Sequence, residues 1–144
     1  MIKDLKSDPN SVFNMQSLLD ATPFAKLLSI EIEKTKNQIR SVMPFATTII
    51  GNTQLPAIHG GVLSALLEIT ASIQLNFETQ ESYLPKNIDF STAYLRSGRP
   101  KKTYGEAVVI RRGRRVAYIT ANLWQDSRDY PIASGHGHFL LTKK

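Results

Sequence analysis

The chain has 144 residues, 42% of them hydrophobic and 21% charged, with 18 Lys and Arg against 12 Asp and Glu and no cysteine. This composition excludes a disordered linker, a disulfide-stapled fold, a thiolate-ligated metal centre and a cysteine nucleophile. The length predicts a single domain over residues 1–144. The N-terminal stretch is polar and no apolar run is long enough to cross a bilayer, so we expect a cytoplasmic protein without a membrane partner.

The first part of the chain predicts a helical segment followed by a hairpin. Apolar residues recur at helical spacing within the N-terminal segment 1–28, and Pro23 interrupts the pattern, which predicts a break. Residues 29–36 and 39–44 predict two short strands joined by a polar turn. The stretch 46–57 is rich in Thr, Gly, Asn and Pro and predicts a loop.

Residues 59–77 predict one long central helix, because no Gly or Pro follows Gly61 and apolar residues occupy nearly every side. We expect this helix to be surrounded by protein. Strand-like segments separated by turns typical of hairpins follow it: 87–95, 103–111, 115–124 and 131–141. The fold class is therefore predicted as α+β, an antiparallel sheet wrapped around the central helix, with one bare helix flank available for a dimer.

One carboxylate, Glu68, interrupts the apolar helix. It lies at four-residue steps from Gly60, Ser64 and Ser72, so these residues form one stripe. An ionised carboxylate in apolar surroundings is costly unless it is paired or has a function. The structural alternative is an ion pair with an arginine or lysine of a neighbouring strand.

The predicted helix start carries His59-Gly60-Gly61. Two residues without side chains stand there, where free backbone amides and the positive end of the helix dipole meet. Such a site can hold an oxyanion. The alternative is ordinary glycine punctuation between a loop and a helix.

Together, this helix start, the apolar helix and an acid nine positions after the histidine resemble the hot-dog-fold acyl-CoA thioesterases, in particular their PaaI-like branch. The resemblance covers roughly residues 20–142. The other matching segments occur in family-like order: Gly51-Asn52, Leu55 to Gly61, Ala93 to Arg96 and Arg111 to Arg114.

The resemblance implies a hot-dog fold and a role for each candidate site residue. Glu68 is the nucleophile or general base, and the Gly60 amide polarises the thioester carbonyl. Asn52 or Gln54 supports the carbonyl or the attacking water. Ser72 and Asn87 orient the water or the acid. We expect the ring N–H of His59 to fix the turn. His59 and Gly61 are expected to lie at the helix start, where the substrate binds.

Basic residues are concentrated between Arg96 and Arg115, where eight Lys or Arg accompany one acid. This favours an anionic partner, and the phosphates of coenzyme A fit the requirement. The candidate ligands are Arg112, Arg114 and Arg115, with Arg96 behind them. The alternative is a solvated hairpin turn. Nucleic acid is not expected, because exposed aromatic residues do not alternate with the basic ones.

Distance along the helix predicts a homodimer. Gly60 and Glu68 are eight residues apart, or about 12 Å, whereas one carbonyl must lie within about 3.5 Å of both groups. Two antiparallel helices related by a two-fold axis bring Gly60 of one subunit to Glu68 of the other. The prediction is therefore a homodimer with composite active sites, with a dimer of dimers as the larger alternative.

The predicted function is hydrolysis of an acyl-CoA thioester to a free acid and coenzyme A, without a metal or redox cofactor. Two alternatives belong to other classes. A non-catalytic acyl-CoA or acyl-carrier binding protein would keep the basic residues and tolerate loss of Glu68. A hot-dog dehydratase would need a catalytic histidine cooperating with an acid, and the sequence shows no such arrangement.

Overall fold

The computed structural model describes residues 12–35, 38–81 and 83–141. Part of the predicted N-terminal helical segment, 1–11, and the middle of the first predicted turn, 36–37, lie outside the described residues. The described helices are α1 (Val12–Asp20), α2 (Pro23–Leu27) and α3 (Gly60–Thr79). The described strands are β1 (Glu31–Thr35), β2 (Gln38–Met43), β3 (Ile50–Asn52), β4 (Ala57–Ile58), β5 (Lys86–Tyr94), β6 (Thr103–Arg112), β7 (Val116–Trp124) and β8 (Ala133–Leu140).

Six of these strands form one antiparallel sheet, in the order β1-β2-β6-β7-β8-β5. The long helix α3 packs against one face of it and contacts β2, β5, β6, β7 and β8. Alternate strand residues meet the helix in the core, among them Ala117, Ile119, Ala121, Leu123 and Phe139. This arrangement confirms the predicted α+β class and the hot-dog fold.

The strand order corrects one prediction, because β5 does not form a hairpin with β6. It pairs instead with β8, from Lys86 opposite Leu140 to Tyr94 opposite Ala133. The following loop, 95–102, carries the chain across the sheet and places β6 beside β2. Alternation of apolar residues identifies a strand but not its neighbour, so the hairpin inference failed where a loop is long.

The predicted loop 46–57 also contains structure that was not expected. A 3₁₀ turn at Thr47–Ile49 and the short pair β3 and β4 lie within it or at its end. The backbone amide of His59 donates to the carbonyl of Ile49 at 2.8 Å. These contacts fix the segment that leads into α3.

Two glycines of β8 allow β5 to approach closely. A Cβ atom on Gly135 would lie 2.4 Å from Phe90, and one on Gly137 would lie 2.2 Å from the Asp89 carbonyl oxygen. The space left by these glycines is filled by the Phe90 ring, which also meets Phe139 edge-on at a centroid distance of 6.4 Å. Phe90 therefore anchors β5 on the inner face of the sheet.

One flank of α3 is only half-buried. Its residues follow helical i, i+3, i+4 and i+7 spacing: Val62, Ala65, Glu68, Ile69 and Ser72. The side toward the sheet is fully buried and includes Leu63, Leu66 and Leu67. Burial of the helix is thus confirmed on the sheet side, and the expected bare flank is present on the other. Across the described part of the chain, no helix is both long enough and apolar enough to cross a bilayer.

Candidate active site

The start of α3 leaves one amide hydrogen available. Nδ1 of His59 accepts a hydrogen bond from the Gly61 amide at 2.9 Å. The amides of Val62 and Leu63 donate to the His59 carbonyl at 3.0 and 3.2 Å. The Gly60 amide has no partner among the described residues. The site therefore presents the Gly60 amide alone, at the positive end of the helix dipole.

This geometry corrects two expectations about the helix start. Gly61 does not offer its amide to a substrate, because the His59 ring accepts it. His59 fixes the turn as an acceptor at Nδ1 and not, as predicted, through a ring N–H. An acceptor at this position is an N-cap, which satisfies one of the amides that a helix start leaves open.

Tyr94, the last residue of β5, contacts the same helix start. Its hydroxyl donates a hydrogen bond to the Gly60 carbonyl at 2.8 Å. Its ring lies so close that a Cβ atom on Gly60 would be 3.2 Å from Cζ. A tyrosine in a strand is typical of a core or a pocket wall, and the two-residue period of β5 gives only the face on which its side chain lies, so this contact was not predicted.

Glu68 lies on the half-buried flank of α3, two turns beyond Gly60. None of the ion pairs or side-chain hydrogen bonds of the described residues involves it, so the alternative of an arginine or lysine partner is not found within the subunit. Burial raises the pKa of the Glu68 carboxyl above its ordinary value. Its carboxylate is accordingly more basic than that of an exposed glutamate.

The stripe around Glu68 is tied to β5. The hydroxyl oxygens of Ser64 and Thr92 are 2.8 Å apart, and Ser72 lies one turn beyond Glu68, half-buried. Thr92 was not predicted as part of the site. Its signal was the two-residue period of β5, which places Thr92 and Tyr94 on the face toward α3.

Asn52 and Gln54 lie in the exposed turn between β3 and β4, which leads into His59. The side-chain oxygen of Asn52 accepts hydrogen bonds from the amides of Gln54 and Leu55 at 3.0 and 3.3 Å. That oxygen therefore closes the turn. The amide nitrogen of Asn52 and the side chain of Gln54 take no part in the hydrogen bonds of the described residues.

Asn87 lies near the end of β5 away from Tyr94. The seven intervening steps correspond to about 23 Å of strand, so the fold does not bring Asn87 to Gly60 of the same subunit. Its side-chain nitrogen donates to the Asp89 carbonyl at 2.8 Å, at an irregularity in the pairing of β5 with β8.

The basic residues divide into two groups at opposite ends of the sheet. Arg96 donates to the Pro131 carbonyl at 2.7 Å and lies over the Tyr130 ring, at the same end as Tyr94. Arg112 donates to the carbonyl of Glu78 at 3.1 Å, beside the end of α3. Arg96 is therefore separated from the other candidate arginines, because β6 spans the sheet between the two groups.

The hairpin group faces solvent. Arg114 and Arg115 are exposed and line a groove of about 640 Å³ over β6, β7 and β8, together with Tyr118 and His138. The Gly113 amide donates to the Val116 carbonyl at 3.0 Å, which confirms the tight turn predicted there. The exposed guanidinium groups are suited to bind phosphates.

Comparison with known families gives one match. The family model described as the thioesterase superfamily matches residues 55–132. This range includes the helix start, Glu68 and the basic hairpin. No curated protein matches the sequence.

Solved structures share the fold along most of the chain. A Chromobacterium violaceum protein is 35% identical, covers 88% of this chain and 88% of its own, and gives a TM-score of 0.70. A phenylacetic acid degradation-related protein of Ralstonia eutropha is 18% identical, with coverages of 88% and 98% and a TM-score of 0.74. A Bacillus halodurans protein, solved with CoA, is 18% identical, with coverages of 99% and 94% and a TM-score of 0.73.

Proposed function

Because this chain belongs to the thioesterase superfamily, we propose that it hydrolyses the thioester of an acyl-CoA to a free acid and coenzyme A. Family membership supports thioester hydrolysis as the reaction class. The observation that carries the proposal is the half-buried Glu68 carboxylate, which has no partner among the described residues of its subunit. Coenzyme A as the thiol is supported by the CoA bound to the Bacillus halodurans protein of the same fold.

We assign the Gly60 amide to the carbonyl oxygen of the thioester. Attack on the carbonyl carbon moves negative charge onto this oxygen, and a fixed N–H at a helix start stabilises that charge. One such donor contributes about 3 to 4 kcal/mol to the transition state in acyl transfer. His59 and Gly61 hold the helix start, and Asn52 or Gln54 supports the carbonyl or the water.

Glu68 has two possible roles in this reaction. As a nucleophile it bonds to the carbonyl carbon, the C–S bond breaks to release the coenzyme A thiolate, and water then cleaves the acyl-glutamyl anhydride. As a general base it takes a proton from a water whose oxygen attacks the carbonyl carbon directly. The C–S bond then breaks, and the thiolate leaves with the proton that Glu68 returns to it. We assign Ser72, one turn away, and Asn87 to orienting the water or the acid.

The proposed site is composite. Gly60 and Glu68 of one subunit are separated by about 12 Å of helix and cannot both contact one carbonyl. The half-exposed flank of α3, with Val62, Ala65 and Ile69 around Glu68, supports a second α3 packed there in antiparallel orientation. A homodimer then carries two equivalent sites, and two such dimers form the larger alternative.

The decisive experiment is a thiol-release assay with short, medium, long and aromatic acyl-CoAs. The chain has no cysteine, so a thiol reagent detects only released coenzyme A. We expect turnover by the wild type and a loss of about 100-fold or more in Glu68→Gln, which keeps the shape and removes the base. Glu31→Gln, an exposed glutamate on β1, is the matched control.

Two results would contradict the proposal. Binding of acyl-CoA without turnover by the wild type would favour the non-catalytic binding protein. Full turnover by Glu68→Gln would exclude this carboxylate as the catalyst. Among active preparations, a single turnover in ¹⁸O-water that labels Glu68 and leaves the product acid unlabelled would show the nucleophile route, with water attacking the glutamyl carbonyl of the anhydride.

A further inference from the structure

We propose that Tyr94 is a positioning residue of the oxyanion site: its hydroxyl holds the Gly60 carbonyl and so fixes the backbone at Gly60, whose own amide, in the preceding peptide unit, faces the substrate carbonyl. The inference rests on the proposed function, because it assigns how the catalytic amide keeps its orientation. Tyr94 acts through Gly60 and has no proposed contact with the reacting atoms.

The peptide unit between Gly60 and Gly61 is held at both of its polar atoms. Its oxygen accepts from the Tyr94 hydroxyl at 2.8 Å, and its N–H donates to Nδ1 of His59 at 2.9 Å. Glycine rotates more freely than any other residue, and two consecutive glycines carry no side chain that could restrain them. The two hydrogen bonds supply that restraint from outside the helix.

The placement of Tyr94 fits this role better than a packing role. The residue is 56% exposed, so its ring contributes little to the core. Its ring instead lies against Gly60, within contact distance of any Cβ atom there. The backbone that carries the Tyr94 side chain is fixed. Tyr94 pairs with Ala133, and the amide of the next residue, Leu95, donates to the Ile132 carbonyl at 2.8 Å.

The test compares Tyr94→Phe with Tyr104→Phe. Phenylalanine keeps the ring on Gly60 and removes only the hydroxyl, so the fold is retained. We expect kcat to fall about ten-fold with KM changed less than about two-fold, as for loss of one positioning hydrogen bond. Tyr104 lies on the face of the sheet away from α3, stacked on Trp124 at a centroid distance of 6.0 Å, and its variant should behave as the wild type.

A second measurement is independent of activity. With ¹⁵N-glycine labelling, the eight glycines give a sparse NMR spectrum in which amide exchange is read directly. We expect exchange at Gly61, whose amide is hydrogen-bonded to His59, to accelerate in Tyr94→Phe and to stay unchanged in Tyr104→Phe. A change confined to the melting temperature, with wild-type kcat and exchange, would overturn the proposal.

The outcomes separate this proposal from the proposed function. If the wild type hydrolyses no acyl-CoA, the proposed function fails, while glycine exchange still decides whether Tyr94 restrains the peptide. If kcat falls without any change in exchange, the hydroxyl acts elsewhere and the positioning role is wrong. Faster exchange together with lower kcat supports both.

Discussion

Nδ1 of His59 accepts the amide hydrogen of Gly61 at 2.9 Å, so this histidine caps α3. A cap can be replaced by another short acceptor, whereas a catalytic base cannot. We expect His59→Asn to retain much more activity and stability than His59→Ala, which should lose about 1 kcal/mol of unfolding free energy. Urea unfolding and thiol release measure the two effects. Equal and severe loss of activity in both variants, with stability unchanged, would show a chemical role for the ring.

The Gly60 amide can be removed without removing the helix. Proline is tolerated at the first helical position, and His59, with ψ of 132°, already has the extended backbone that precedes proline. We expect Gly60→Pro to lower kcat about 100-fold below Gly60→Ala. Both variants add carbon atoms near Tyr94, but only alanine keeps the N–H. Similar kcat values for the two would argue against the amide.

Burial of Glu68 predicts a link between stability and pH. Its pKa is raised in the folded chain, so the folded state holds the proton more tightly and loses stability as pH rises through the ordinary and then the raised pKa. We expect Glu68→Gln to melt at a higher temperature than the wild type at neutral pH, with the advantage disappearing in acid. Melting curves from acid to neutral pH test this, with Glu31→Gln at an exposed position as the control for the substitution itself.

The composite site can be tested by mixing two inactive subunits. In a dimer of Glu68→Ala with Gly60→Pro, one of the two sites keeps both an intact amide and an intact carboxylate. We expect the purified mixed dimer to recover up to about half of wild-type activity. If each parent is inactive and the mixed dimer stays inactive, Gly60 and Glu68 do not act across the two-fold axis.

The exposed arginines of the hairpin should affect binding more than chemistry. Replacing Arg114 and Arg115 by Gln removes two charged donors, and we expect KM for acyl-CoA to rise about ten-fold with kcat nearly unchanged. Acyl-N-acetylcysteamine lacks the nucleotide, so its KM should not change in this variant. The matched control replaces Arg99 and Lys102 by Gln at the opposite end of the sheet. A larger rise in KM in the control variant would show that the phosphate site lies at that end instead.

Periodicity alone was enough to predict α3 and most strand boundaries. The helix was expected at 59–77 and is found at Gly60–Thr79, because its apolar residues and the absence of internal breakers are local properties. The neighbour of β5 was not predictable in this way. Its pairing with β8 depends on where the loop 95–102 leads, and on the space that Gly135 and Gly137 leave for Phe90.

The site was predictable as far as residue chemistry is local. Glu68 stood out as an acid in an apolar helix, and Gly60 as a glycine at a helix start. Which glycine offers its amide depends on the orientation of the His59 ring. The contact from Tyr94 depends on the pairing of a distant strand. Such relations arise from tertiary structure and leave no periodic signal.

The pairing of β5 with β8 also has a consequence for synthesis of the chain. On the ribosome, β5 emerges well before β8, the one strand with which it pairs among those described. Until Ala133–Leu140 has emerged, the glycines against which the Phe90 ring packs are absent, and β5 has no strand to pair with. A nascent chain stopped short of this last strand would therefore lack the fixed β5 backbone that delivers Tyr94 to the start of α3.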